Sequence, residues 1–373
     1  MKNLKKYIAF ALVGALLLNL ACGDSGGDDG PDTTDSFDRE AMLAHWADNI
    51  IIPAYERYFE TLQDLQTRKD ALLAEANMDN LTSLRRDFRI AYGVWQTVSM
   101  FEIGPAETVT LRNFTNIFPA NAQEIEENVM SGSANLELPS NNDSQGFPAL
   151  DYLLYGVADD DASILAKLSE TSYQNYLSAI VERLYSLGSG VRNAWRNEGY
   201  RDTFVSASGS TATSSVNRMA NDFMFYYEKS LRAGKVGIPA GVFNGNPLSD
   251  RAEAPFSGVL SKELLLNALA ATQGFFRGEY QGGASTGPSF DQYLDDLDVR
   301  KDDRLLSDLI NTQLVSAQSA IENLNDDLKT QVEMDNSLML RAYDELQKVV
   351  VLLKVDMFQA LNIQVDFVDA DGD

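Results

Sequence analysis

From Phe37 onward, apolar residues recur at three- and four-residue steps, the period of helices that bury one stripe. The clearest run is the last. Met339, Ala342, Tyr343, Leu346, Val349, Val350, Leu353, Met357 and Leu361 share one face, with Asp344, Lys348 and Lys354 between them. Similar stripes run over 42–73, 81–101, 173–195, 216–231, 260–276 and 305–324. The clear β-leaning clusters are Val349-Val350-Val351 and Val236-Gly237-Ile238, and the first lies inside a helical stripe. Turn chemistry punctuates the stripes at 77–80, Gly104-Pro105, 139–144, Gly156, Gly199, 234–247 and 282–288. The pattern predicts an all-α chain. A polar run over 206–215 places a domain boundary near 199–215, giving two helical-bundle domains packed side by side, residues 37–200 and 201–373. A chain of 373 residues also exceeds what one core usually serves.

The first 36 residues follow a different logic. Met1 to Lys6 form a basic head, an apolar run follows, and Leu20-Ala21-Cys22 closes it. This order predicts a lipoprotein signal peptide over 1–21, with Cys22 carrying the lipid. The apolar run is short for a membrane span. Residues 22–36 then make a lipidated Cys and a Gly/Asp/Ser-rich tether without a large apolar residue. Gly23-Asp24-Ser25-Gly26-Gly27 matches the serine-hydrolase pattern G-x-S-x-G, but a tether supplies neither the strained elbow nor a base and oxyanion hole.

Cys22 is the sole cysteine, so no internal disulfide forms and packing must supply stability. The formal charge is −25, and losing Lys2, Lys5 and Lys6 with the leader makes it three charges more negative. Such a surface repels phosphate backbones, which argues against nucleic acid as a partner. It also disfavours adhesion to anionic lipid, leaving the lipid on Cys22 as the membrane contact. The expected location is the cell envelope, at the outer membrane on its periplasmic or surface face.

Four segments carry a family resemblance. Gly146-Phe147-Pro148-Ala149-Leu150-Asp151-Tyr152-Leu153-Leu154-Tyr155-Gly156 aligns with a G-x-H-x-x-E segment and its aromatic-Leu-Leu-aromatic-Gly tail. Trp95 begins a stretch that ends in Phe101-Glu102-Ile103-Gly104-Pro105; Lys235-Val236-Gly237-Ile238-Pro239-Ala240-Gly241 is the third, and Asp356-Met357-Phe358-Gln359-Ala360-Leu361 with Asp371-Gly372-Asp373 the fourth. In order and spacing they resemble the imelysin family of envelope lipoproteins and peptidases. The resemblance implies two helical bundles with a functional site where they meet, and a role in iron uptake or, in some members, peptidase activity. Iron is the one cofactor it suggests.

The sequence departs from that family at the motif's ligands. Pro148 stands where the motif has His and Asp151 where it has Glu. A His and Glu three apart share a helix face and can ligate a metal together, whereas proline offers no donor. The one histidine, His45, sits beside Trp46 in the first helix, where a structural role is favoured over ligation. Pro148 suits the first turn of a helix, Asp151 suits its positive end, and Phe147, Leu150, Leu153 and Leu154 suit a core. Helix-start architecture, a ligand contact at Asp151 and a metal site that includes Asp151 and Glu102 remain open, in falling order.

Pro148, Asp151, Tyr152, Trp95, Glu102, Lys235 and Ser257 are the candidate ligand-binding residues, and no catalytic residue is assigned. Trp95 and Glu102, seven apart, are expected on one face of one helix. Lys235 either meets an anionic ligand or caps the carbonyls of the preceding helix. Ser261 reads as an N-cap. The acidic 295–303 stretch reads as a solvated helix connection, and Asp369-Ala370-Asp371-Gly372-Asp373 lacks the sixth-position Gly and twelfth-position Glu of a calcium loop. Two function classes follow. One is a non-catalytic envelope lipoprotein that binds a small ligand or an envelope protein, in iron or haem uptake as the resemblance implies. The other is a lipid-anchored metallopeptidase, against which the missing imidazole counts.

Overall fold

The computed structural model describes residues 36–280 and 286–367. The leader, Cys22 and the tether up to residue 35 lie outside the described residues, as do Asp369, Asp371 and Asp373. Every long stripe is helical. Helix α1 (Arg39–Trp46) passes through a π-helical turn (Ala47–Ile51) into α2 (Ile52–Ala74). The wider turn sits immediately before Pro53, which has no N–H to give and would crowd the carbonyl four residues back in an α-helix. Next come α3 (Met78–Val98), α4 (Leu111–Thr115), α5 (Gly146–Asp151) and α6 (Thr171–Asn197). Helix α7 (Ser215–Phe225) runs into a π-helical segment, Tyr226–Gly237, and α8 (Ser261–Phe276), α9 (Leu306–Glu322) and α10 (Leu328–Val350) complete the long elements.

The starts are chemically marked. Asp38 accepts from the Ala41 N–H at 2.8 Å, and Asn77 from the Asn80 N–H at 2.9 Å, each satisfying a donor that the first turn leaves open. Ser261 does not cap its own helix. Its hydroxyl accepts from the Leu328 N–H at 3.2 Å, tying the start of α8 to the start of α10.

Both β-leaning clusters are helical: 349–351 continues α10 and 236–237 ends the π segment, because the apolar stripe outweighs the local preference of valine. The strand pair among the described residues lies in the acidic stretch instead, Arg300–Lys301 against Arg304–Leu305. Asp302 and Asp303 turn it with φ of +51° and +61°, a left-handed pair that aspartate tolerates better than most residues.

Helix α2 packs between α6 and α3, α3 reaches across to α8, and α8 leads through α9 to α10 and the π segment. The stretch around 199–215 holds the short helix Tyr200–Ser206, and from Phe37 on the chain forms one compact unit. One apolar core runs through it from Met42 to Leu361. Helix α3 therefore touches both halves, and its carboxyl-terminal turn brings Trp95 and Gln96 to the polar centre described next. Among the described residues, no helix is long and apolar enough to cross a membrane.

Candidate functional site

The motif segment folds around two glycines. Gly146 has φ of +74°, and a Cβ there would sit 2.2 Å from the Thr115 carbonyl oxygen, so only glycine lets α5 start against α4. At Gly156 a Cβ would meet the Phe256 ring at 2.2 Å. Between them Phe147, Leu150, Leu153 and Leu154 are buried, and Phe147 stacks on Tyr92 with centroids 4.7 Å apart. Pro148 lies in the first turn of α5, fully enclosed.

Asp151 is completely buried. Its carboxylate accepts from the Phe256 N–H at 2.9 Å and the Ser257 N–H at 3.1 Å. It thus holds a loop 105 residues away in sequence rather than serving its own helix start. Burial pushes its acid up to about 6, against the two backbone donors that favour the charged form. Ser257 adds its hydroxyl to the Ala254 carbonyl at 3.2 Å, and the Tyr152 hydroxyl donates to Glu126 at 2.7 Å. Phe256 closes the cluster edge-on to Tyr152.

Just before that loop, Glu253 makes the centre of a second network. It forms a buried ion pair with Lys235 and accepts from Asn116 at 2.8 Å and Gln96 at 3.3 Å, while Tyr92 donates to Asn116 at 2.6 Å. Lys235 is thus not a cap for helix carbonyls, because a carboxylate within reach of a buried ammonium is the better partner. Burial lowers its pKa, and the Glu253 charge opposes that shift. The loop therefore has two anchors, Asp151 on its backbone and Lys235 on its side chain.

Glu102 belongs to a third group. Helix α3 ends at Val98, so Glu102 lies past the helix in irregular chain rather than on the face of Trp95. It pairs with Arg112 at 3.0 Å, and Arg112 also reaches Asp222 at 2.8 Å. Burial raises the acids of both Glu102 and Asp222, and the Arg112 charge works against it. Asp151 and Glu102 thus serve separate partners. Among the described residues no group of three or more His, Cys, Asp or Glu is gathered for a metal. His45 carries a structural bond, its Nε2 2.8 Å from the Gly278 carbonyl.

A cavity of about 330 Å³ opens beside these networks between α3, α4 and the π segment. Trp95 and Lys235 both line it, which brings two of the sequence candidates together. Glu102 lines a smaller neighbouring cavity of about 160 Å³ with Asp222, and Arg112 stands between the two. Glu253, Arg112, Asn116 and Asp222 are missing from the sequence candidates. The signal for Glu253 is a single acid between alanines ahead of Pro255, in a stretch between the 234–247 turn and the 260–276 stripe to which the sequence assigns no element.

The motif residues do not fit a metal. Pro148 has no donor atom, and both Asp151 oxygens already accept backbone hydrogen bonds.

The family model described as Imelysin matches residues 51–353. A crystal structure of an imelysin-like protein from Psychrobacter arcticum 273-4 is similar with a TM-score of 0.67 at 19% identity, covering 88% of this chain and 97% of that one. A second, from Parabacteroides distasonis ATCC 8503, named as a candidate iron-regulated protein A precursor, gives 0.70 at 16% identity, covering 86% and 94%. No curated protein matches the chain. At these identities the two structures share the fold. With the family model spanning most of its length, the chain belongs to the imelysin family.

Proposed function

We propose that this imelysin-family chain is a non-catalytic lipoprotein of the cell envelope that binds a small ligand or an envelope protein in iron or haem uptake. The observation that carries the reading is the state of the motif: Asp151 is spent on the backbone of Phe256 and Ser257, and Pro148 replaces an imidazole. Binding capacity lies one network away, in the cavity that Trp95 and Lys235 line. The similar fold of a protein named as a candidate iron-regulated precursor supports the iron connection. A metallopeptidase would need a general base and an open metal position, and the motif supplies neither.

The purified chain supplied with zinc should hydrolyse no peptide in a quenched-fluorophore library. Hydrolysis that disappears on chelation and in Asp151→Asn would overturn the reading in favour of the enzyme. Transcript levels should rise under iron limitation, and levels that ignore iron would remove the uptake role. The anchor is tested separately. Metabolic labelling with a radioactive fatty acid should mark the wild-type chain, and Cys22→Ser should abolish the label and release the protein from membranes.

A further inference from the structure

The lining of the 330 Å³ cavity is unlike the protein as a whole. The chain carries −25, yet Arg112, Lys229, Lys235 and Arg251 all line this cavity and, among the described residues, no Asp or Glu does. The carboxylates that balance these cations stand behind the lining, Glu228 among them, 2% exposed and 3.4 Å from Lys229. Glu253 is 1% exposed behind Lys235, and Glu102 and Asp222 line the neighbouring cavity on the far side of Arg112. Asp250 pairs with Arg251 at the rim, where both side chains are mostly exposed and the attraction is weak.

Aromatic rings fill the space between the charges. Lys235 Nζ lies 5.6 Å from the Phe118 ring centre, and the Arg112 guanidinium lies 5.6 Å from Phe225 and 5.5 Å from Tyr226. Rings in that position hold a cation in place without neutralising it. Among the described residues, three lining side chains carry a buried polar atom without a hydrogen-bond partner, the indole N–H of Trp95, the amide oxygen of Gln96 and the hydroxyl of Tyr226. Buried polar groups normally find partners, and here the Trp95 N–H and the Tyr226 O–H are donors that an anion's oxygens would satisfy, whereas the Gln96 oxygen is an acceptor that an anion leaves as it is. A cavity of this volume is at the small end of ligand sites.

We propose that the cavity lined by Trp95, Arg112, Phe118, Lys235 and Arg251 binds a small organic anion with a planar apolar body, an aryl carboxylate in its simplest form. The acid group sits among the cations, and the ring lies between Trp95 and Phe118. The surrounding negative field repels anions at long range, so the site selects by short-range contact with enclosed charges that salt screens little. This inference rests on the ligand-binding reading and names the ligand class for it.

Calorimetric titration of the purified full-length chain with benzoate, and with its neutral isostere benzamide, tests it. Benzoate should bind at least tenfold more tightly than benzamide and quench tryptophan emission. Arg251→Gln, at the exposed rim, should lose severalfold in benzoate affinity at unchanged stability. Ser230→Phe, which fills the cavity from its half-buried wall, should abolish binding. Benzamide binding as tightly as benzoate would overturn the anion assignment while leaving a ligand-binding protein. Undiminished benzoate binding in a folded Ser230→Phe, or no binding of benzoate at millimolar concentration, would overturn the site itself. The proposed non-catalytic role fails on a different readout, peptide hydrolysis.

Discussion

Lys235→Met should unfold at a markedly lower urea concentration than the parent, with a loss of about 3–5 kcal/mol, the usual cost of stripping one partner from a buried ion pair. Lys235 and Glu253 are 2% and 1% exposed and Glu253 itself does not reach the cavity, so water is a poor substitute for the lost ammonium beside the carboxylate. Asn116 and Gln96 still donate to Glu253, but two neutral amides do not balance a buried charge. The double variant K235M/E253Q should recover much of the loss, since glutamine keeps an oxygen for the two amides and removes the uncompensated charge. The coupling energy of the full cycle reads the pair itself. Equal stability of Lys235→Met and the parent would mean that the pair does not anchor the loop.

That pair also marks where the sequence was legible and where it was not. Helical period located all the long elements, because a buried stripe is a local property of one helix and survives in one dimension. Trp95 and Lys235 emerged as candidates from motif neighbourhoods and do share a cavity. Glu102 was placed one turn too far along α3, since nothing in its period says that the helix stops at Val98 before Gly104-Pro105. Glu253 was invisible for a different reason. Its importance comes from Lys235, Asn116 and Gln96, which lie 18, 137 and 157 residues away, and no local pattern encodes such a meeting. Asp151 is the intermediate case. The motif draws attention to it, but the sequence suggests its own helix start as the partner, whereas the fold gives it the backbone of a distant loop.

Asp151 should also set a pH dependence that the neutral variant lacks. Its folded acid lies at about 6, above the ordinary aspartate value of 3.8, so between those pH values the folded chain binds more protons than the unfolded one. Stability then falls as pH rises through this window, because the unfolded state gives up the Asp151 proton first. A shift of about two units corresponds to about 3 kcal/mol, reached by pH 7. Glu102 and Asp222, also raised by burial, add slopes of the same sign, while Glu56 and Asp87, lowered as their arginine partners outweigh desolvation, slope the other way. The difference between the parent and Asp151→Asn isolates one carboxyl from that background. Urea unfolding at pH 4, 5, 6 and 7 should show the parent losing stability relative to Asp151→Asn by that amount across the series. The asparagine retains one oxygen for one of the two loop N–H groups, so the variant starts less stable at pH 4 and the gap narrows or reverses by pH 7. Parallel profiles would show that Asp151 keeps an ordinary acidity, and with it that the carboxylate is better solvated than its enclosure beneath the Phe256 loop implies.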